Sequence, residues 1–155
     1  MENLSNVGAE GIWPSGALDR RLRLEEEWRM TRAALLELQR LGKPRVNLVL
    51  TGMDIVVQNV LQVLGPDLRQ PITSWRRGQR LLLPAGPRVG TMILHNVSAL
   101  TRDDQRRLLE WTERAAVGTQ VISTTPAPLL RYVLAGAFID TLYYRLNTVS
   151  VDVTP

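Results

Sequence analysis

The segment Gly90-Thr91-Met92-Ile93-Leu94-His95-Asn96 constrains the fold more than any other stretch of the chain. Its apolar residues run unbroken from Met92 to Leu94 and stop at two polar side chains, just before the turn-prone Val97-Ser98-Ala99. A strand that is apolar at consecutive positions needs cover on both faces, so this one reads as a buried central strand of a parallel sheet. His95 and Asn96 then stand at its carboxyl end, the edge at which open α/β sheets bind ligands.

The flanking sequence repeats the pattern. Val46 to Gly52 is almost continuously apolar and reads as a strand, followed by a helix from Asp54 to Leu64 that Gly65-Pro66 ends. A strand, turn and helix in that order make the next strand parallel. Pro71 to Trp75 reads as a short strand and Leu81 to Leu83 as a brief apolar run. Thr101 is placed as an N-cap, with Asp103 and Asp104 in the first turn of a helix that Gly118 stops. Gln120 to Thr124 is a further strand, 127–136 a helix closed by Gly136, Leu142 to Leu146 a last helical segment, and Thr148 to Val153 the final strand. Ahead of this core at 46–153 lies a helix over 17–42. Its face is Leu24, Trp28, Thr31, Leu35 and Leu38, and Gly42 and Pro44 end it. Residues 1–16, with three glycines and Pro14, read as a flexible arm before a single domain at 17–155. The expected class is α/β, a three-layer sandwich around a mainly parallel sheet.

Composition narrows the chemistry. Among 155 residues there is no cysteine and one histidine, His95, which excludes disulfides, thiol catalysis, zinc-thiolate centres and multi-histidine metal sites. No run of about 18 apolar residues and no signal peptide is found, so no membrane partner and a cytoplasmic location are expected. The net charge of +4 is carried almost wholly by arginine, Lys43 being the one lysine. Trp75, Arg76, Arg77, Arg80 and Arg88 form a basic group around a turn. Three readings of it stay open: a nucleic-acid contact, a site for an acidic patch on a protein, and a solvated turn. Trp28 and Leu35 on the first helix are the candidates for a homodimer contact.

Several words of the sequence resemble one family. Gly90-Thr91-Met92-Ile93-Leu94, followed by Leu100, Gln105, Leu108 and Leu109, is similar to the "GTLFLDE…L…Q..LL" segment of the AAA+ domain of bacterial enhancer-binding proteins, the ATP-driven activators of sigma-54 RNA polymerase. Val121-Ile122-Ser123-Thr124-Thr125 resembles their "VIATTN" strand, and the segment from Gly136 to Asn147 resembles "GRFREDLYYRLN". The resemblance covers about 46–153 and implies a P-loop NTPase core of AAA+ type, without the helical lid, which would begin where the chain stops.

The resemblance also says where the family's catalytic residues would fall. Its phosphate loop lies on Gly52 to Val57, Gln58 and Asn59: the first glycine is kept, the inner ones become Ile55 and Val57, and the lysine becomes Gln58. Val and Ile disfavour the positive φ such a loop needs, and an amide carries no charge for phosphate. The acidic pair that holds magnesium falls on His95 and Asn96, the γ-phosphate sensor on Pro126, and the first arginine of the finger segment on Ile139, with Arg145 kept. The "GAFTGA" loop that touches sigma-54 does not occur. The expected function is a pseudo-ATPase: no catalytic residue, no cofactor, no metal, and a role as a protein-interaction or regulatory module in transcription or signalling. Its expected partner is another protein, an active AAA+ relative or a transcription or signalling component. The alternatives are nucleic-acid binding by the turn at 75–88 and nucleotide binding without efficient hydrolysis.

Overall fold

The computed structural model describes residues 15–40, 46–85, 90–114 and 119–153; within the first helix the side chains of 15, 17–18, 30–31 and 34–40 fall outside that description. The expected arm over 1–14, the helix stops at Gly42, Pro44 and Gly118, Arg88, and the side chain of Leu35 therefore lie outside the described residues.

Five strands form one sheet: β1 (Leu48–Thr51), β2 (Ile72–Trp75), β3 (Gly90–Leu94), β4 (Thr119–Thr125) and β5 (Val149–Asp152), in the order β2-β3-β4-β1-β5. Every pairing is parallel, with Leu48 opposite both Ile122 and Val149, and Leu94 opposite Ser123 and Trp75. Helices α1 (Ser15–Arg40), α2 (Asp54–Leu64), α3 (Arg102–Arg114), α4 (Leu129–Leu134) and α5 (Asp140–Leu146) complete the described elements, with short 3-10 turns at Gly65–Asp67 and Val97–Ala99.

Alternation along the strands builds two cores. Val49, Met92, Leu94 and Val121 face one side, where Leu108 of α3, Leu129 of α4 and Leu142 and Leu146 of α5 close over them. Leu48, Leu50, Ile93 and Ile122 face the other, against Val57, Val60, Leu61 and Leu64 of α2, with Trp28 of α1 at the margin. This is the expected three-layer sandwich. It explains why β1 and β3 are buried at every position: each strand packs through both faces.

Boundaries moved by a few residues. Helix α1 takes in Ser15 and Gly16, which the arm was expected to hold, and α4 is shorter than 127–136 because Pro128 precedes its first turn and Gly136, at φ 74°, ends the segment. Thr101 caps α3 as expected, its Oγ1 accepting from Asp104 N at 3.2 Å. Tyr144 is 73% exposed and Tyr143 beside it takes the inward position, since successive residues on a helix point about 100° apart. Among the described residues no helix is long and apolar enough to cross a membrane.

Candidate functional site

The chain leaves β1 over one face of the sheet and leaves β3 and β4 over the other, so the crevice between β1 and β4 is a topological switch point. Three bonds from backbone N–H groups order the strand ends around it. Gly52 N donates to Thr125 O at 3.0 Å, His95 N to Trp75 O at 2.9 Å, and Asn96 N to Thr124 Oγ1 at 2.9 Å. Gly52, Asp54, Val57, Asn96, Thr124 and Pro126 line the resulting cavity of about 160 Å³. Common small-molecule pockets hold roughly 300–1,000 Å³.

Gly52 has a local reason to be glycine. A Cβ there would lie 2.8 Å from Cγ2 of Val153, where the chain leaves β5. After Met53 the helix starts at once, so positions 54 to 57 are turns of α2 and Val57 is buried in the core beneath them. Asp54 stands in the first turn, at the positive end of the helix, and its carboxylate takes the place an anion would favour.

Four side chains from three parts of the chain meet beside this crevice. Gln58 Nε2 lies 3.3 Å from Asp54 Oδ1 and 3.0 Å from His95 Nδ1, and Gln58 Oε1 accepts from Arg76 at 3.3 Å. A carboxylate only accepts and a guanidinium only donates, so Asp54 and Arg76 fix which way the Gln58 amide faces. The amide NH2 then points at His95 Nδ1, which must accept; the ring is neutral and its proton sits on Nε2. Burial lowers the His95 pKa below its ordinary 6.5, Arg76 lowers it further, and Asp54 opposes them.

Asn96 is turned away from this group. It holds a left-handed conformation at φ 54°, which asparagine tolerates, and its Oδ1 accepts from Ser98 Oγ at 2.7 Å. The remaining expected positions lie apart. Asn59 is exposed and lines a groove of about 540 Å³ between α1 and α2, together with Arg21, Leu24, Glu25, Trp28 and Val56. Ile139 precedes α5 and donates its N–H to Gln105 Oε1 at 2.9 Å. Arg145 pairs with Glu113 at 3.3 Å. Trp75, grouped above with the surface arginines, is only 4% exposed and belongs to the core, its indole donating to Gln79 O at 2.9 Å; Arg76, Arg77 and Arg80 are exposed.

Sequence reasoning missed Asp54 and the role of Arg76. The i, i+4 spacing of Asp54 and Gln58 on α2 was a usable signal. Nothing in the sequence marks the approach of Arg76, which joins Gln58 across the sheet edge. Among the described residues no group of three or more His, Asp or Glu is placed to hold a metal.

Comparison with known proteins supplies the context. The model of the "Sigma-54 interaction domain" matches residues 71–155. No match was found among curated proteins. Among solved structures, NtrX from Brucella abortus in complex with ADP superposes with a TM-score of 0.57 at 16% identity, covering 90% of this chain and 40% of that one. The same protein in complex with ATP gives 0.57 at 17% identity, with 97% and 37% covered. Drosophila ORC bound to GC-rich DNA and Cdc6 gives 0.58 at 12% identity, with 97% and 63% covered. The chain thus spans about two fifths of the length of the NtrX chains. At these identities the likeness establishes the fold alone, the parallel three-layer α/β core described above.

Proposed function

The chain belongs to the sigma-54 interaction domain family, and on that premise we propose that it is a pseudo-ATPase, a catalytically inactive member that serves as a protein-interaction or regulatory module in transcription or signalling. One observation carries this reading: Gln58 and His95, which resemblance puts at the family's phosphate-binding lysine and first magnesium-binding acid, are hydrogen-bonded to each other at 3.0 Å. In an active site those two positions hold opposite ends of a magnesium-phosphate group between them. Here their partners are Asp54 and Arg76, and the group is closed on itself.

The backbone supports the same reading. A phosphate cradle needs a loop of amides ahead of the helix; here residues 54–57 are already helical, and Asp54 places a like charge where the phosphates would lie. Chemically, the residues present are a poor fit for a triphosphate with magnesium.

The test is turnover of ATP with magnesium by the full chain, paired with calorimetric titration of ATP with and without the metal. Turnover at the rate of a blank and no heat of binding are expected. Magnesium-dependent turnover that Gln58→Ala removes would sink the reading. Heat of binding without turnover would replace it with nucleotide binding alone. By the same reading no ring assembles on adding ATP; light scattering is expected to give monomer, or dimer through α1, at every nucleotide concentration.

A further inference from the structure

We propose that the loop 76–85, between β2 and β3, is the docking surface for an acidic, leucine-bearing segment of a protein partner; this rests on the interaction-module reading above and names its surface. Irregular loops are usually loose, yet this one is fastened along its length. Gln79 N donates to Arg76 O at 3.0 Å, and Arg76 N donates to Gln79 Oε1 at 3.0 Å. The Trp75 indole holds Gln79 O, and Gly78 makes the turn at φ 88°. Leu81 is fully buried. From α3, Arg107 donates to Leu81 O at 3.2 Å and the Trp111 indole to Pro84 O at 2.9 Å.

On this fixed backbone Leu82, Arg77 and Arg80 are among the side chains that face outward. Leu82 is 70% exposed, and Arg77 and Arg80 nearby are exposed as well. On the neighbouring α3, Arg106, Arg107 and Arg114 each face a carboxylate within the helix. Among the described residues no carboxylate faces Arg77 or Arg80. Two unmatched guanidinium groups on the same short loop as an exposed apolar side chain suit a segment that brings carboxylates and an aliphatic residue together. Because the backbone is already ordered, little conformational freedom is lost on binding.

Nucleic acid fits this surface less well. A phosphate backbone has no use for Leu82, and the arginines of the helix on which the loop rests are already matched by Asp103, Asp104 and Glu110, so they add little to the pull on an extended polyanion. A short acidic segment meets the two arginines alone.

The experiment measures fluorescence anisotropy of a short labelled peptide with leucines set among glutamates and serines, titrated with the full chain. Controls replace the leucines with serine, or the glutamates with lysine, and a random-sequence duplex is titrated in parallel. Both control peptides are expected to bind at least about tenfold more weakly. The double change Arg77→Ala and Arg80→Ala, and separately Leu82→Ser, should each weaken the acidic peptide by about tenfold or more while the melting temperature stays unchanged, since these side chains are exposed. Affinity untouched by all three changes, or a duplex that binds more tightly than the peptide, overturns the proposal. ATP turnover of the same preparations keeps the two readings apart: hydrolysis defeats the pseudo-ATPase reading alone, and loss of peptide selectivity without hydrolysis defeats the docking surface alone.

Discussion

His95 and Gln105 are both buried polar residues, and they do different things. His95 is neutral in the fold, with its pKa held below 6.5 chiefly by burial. Below that value the unfolded chain takes up a proton that the folded chain refuses. The stabilising contribution is therefore complete above about pH 6.5 and is lost as pH falls toward the folded pKa, with a slope of at most about 1.4 kcal/mol per pH unit. Urea unfolding across pH 5 to 8 should show this decline, and His95→Gln should flatten it; a decline of equal slope in the variant would place the titrating group elsewhere. Gln105 is 1% exposed and its amide is satisfied throughout: Nε2 donates to Leu100 O and Ala137 O, both at 3.1 Å, and Oε1 accepts from Ile139 N. Gln105→Leu strands those three backbone groups and should lower stability by about 2–4 kcal/mol in denaturant titration. A loss under about 0.5 kcal/mol would mean that water or a shift of the turn replaces the bonds.

At the scale of elements, several of the residues that carried the family resemblance turn out to be packing residues. Phe138, Leu142 and Leu146, from the segment most like the family's, lie in one core, and Gln105, from an earlier word, bonds that segment on either side of Phe138. Those words could be read because a buried contact restricts residue type on both partners. Strand positions were legible for a similar reason: Leu48 to Leu50 and Met92 to Leu94 are apolar on consecutive residues, which surface strands avoid. The Asp54, Gln58, His95 and Arg76 group was legible only in part. Gln58 and His95 stood out as replacements, but their bond to each other spans 37 positions and depends on how α2 lies over β3. Trp75 was misplaced by adjacency, since a neighbour in sequence points to another side of a strand. Helix α1 meets the body through Trp28 at the edge of the apolar cluster and the Arg32–Asp67 pair at 2.7 Å. We expect Trp28→Ala to release it: amide exchange over 15–40 should approach that of an isolated helix while β1 and β4 keep their protection. Unchanged exchange in α1 would point to further contacts that hold it.

At the scale of the whole molecule, the strand order has a consequence in time. A ribosome releases β1 long before either of its neighbours exists: Leu48 waits for Ile122 on one side and for Val149 on the other. Parallel pairing allows no hairpin to shelter it meanwhile, and contacts so distant along the chain form slowly. The most apolar strand of the protein therefore spends its synthesis with both edges open, and its protection is completed by β5, the last strand described. A nascent chain of this kind is a natural client for chaperones and a hazard when translation stalls. Ending the chain after Asn147 should leave the edge at 48–51 permanently unpaired, and the product is expected to collect in the insoluble fraction and to bind a hydrophobic dye. A soluble monomer with native near-ultraviolet circular dichroism would mean that β1 can close against β4 alone.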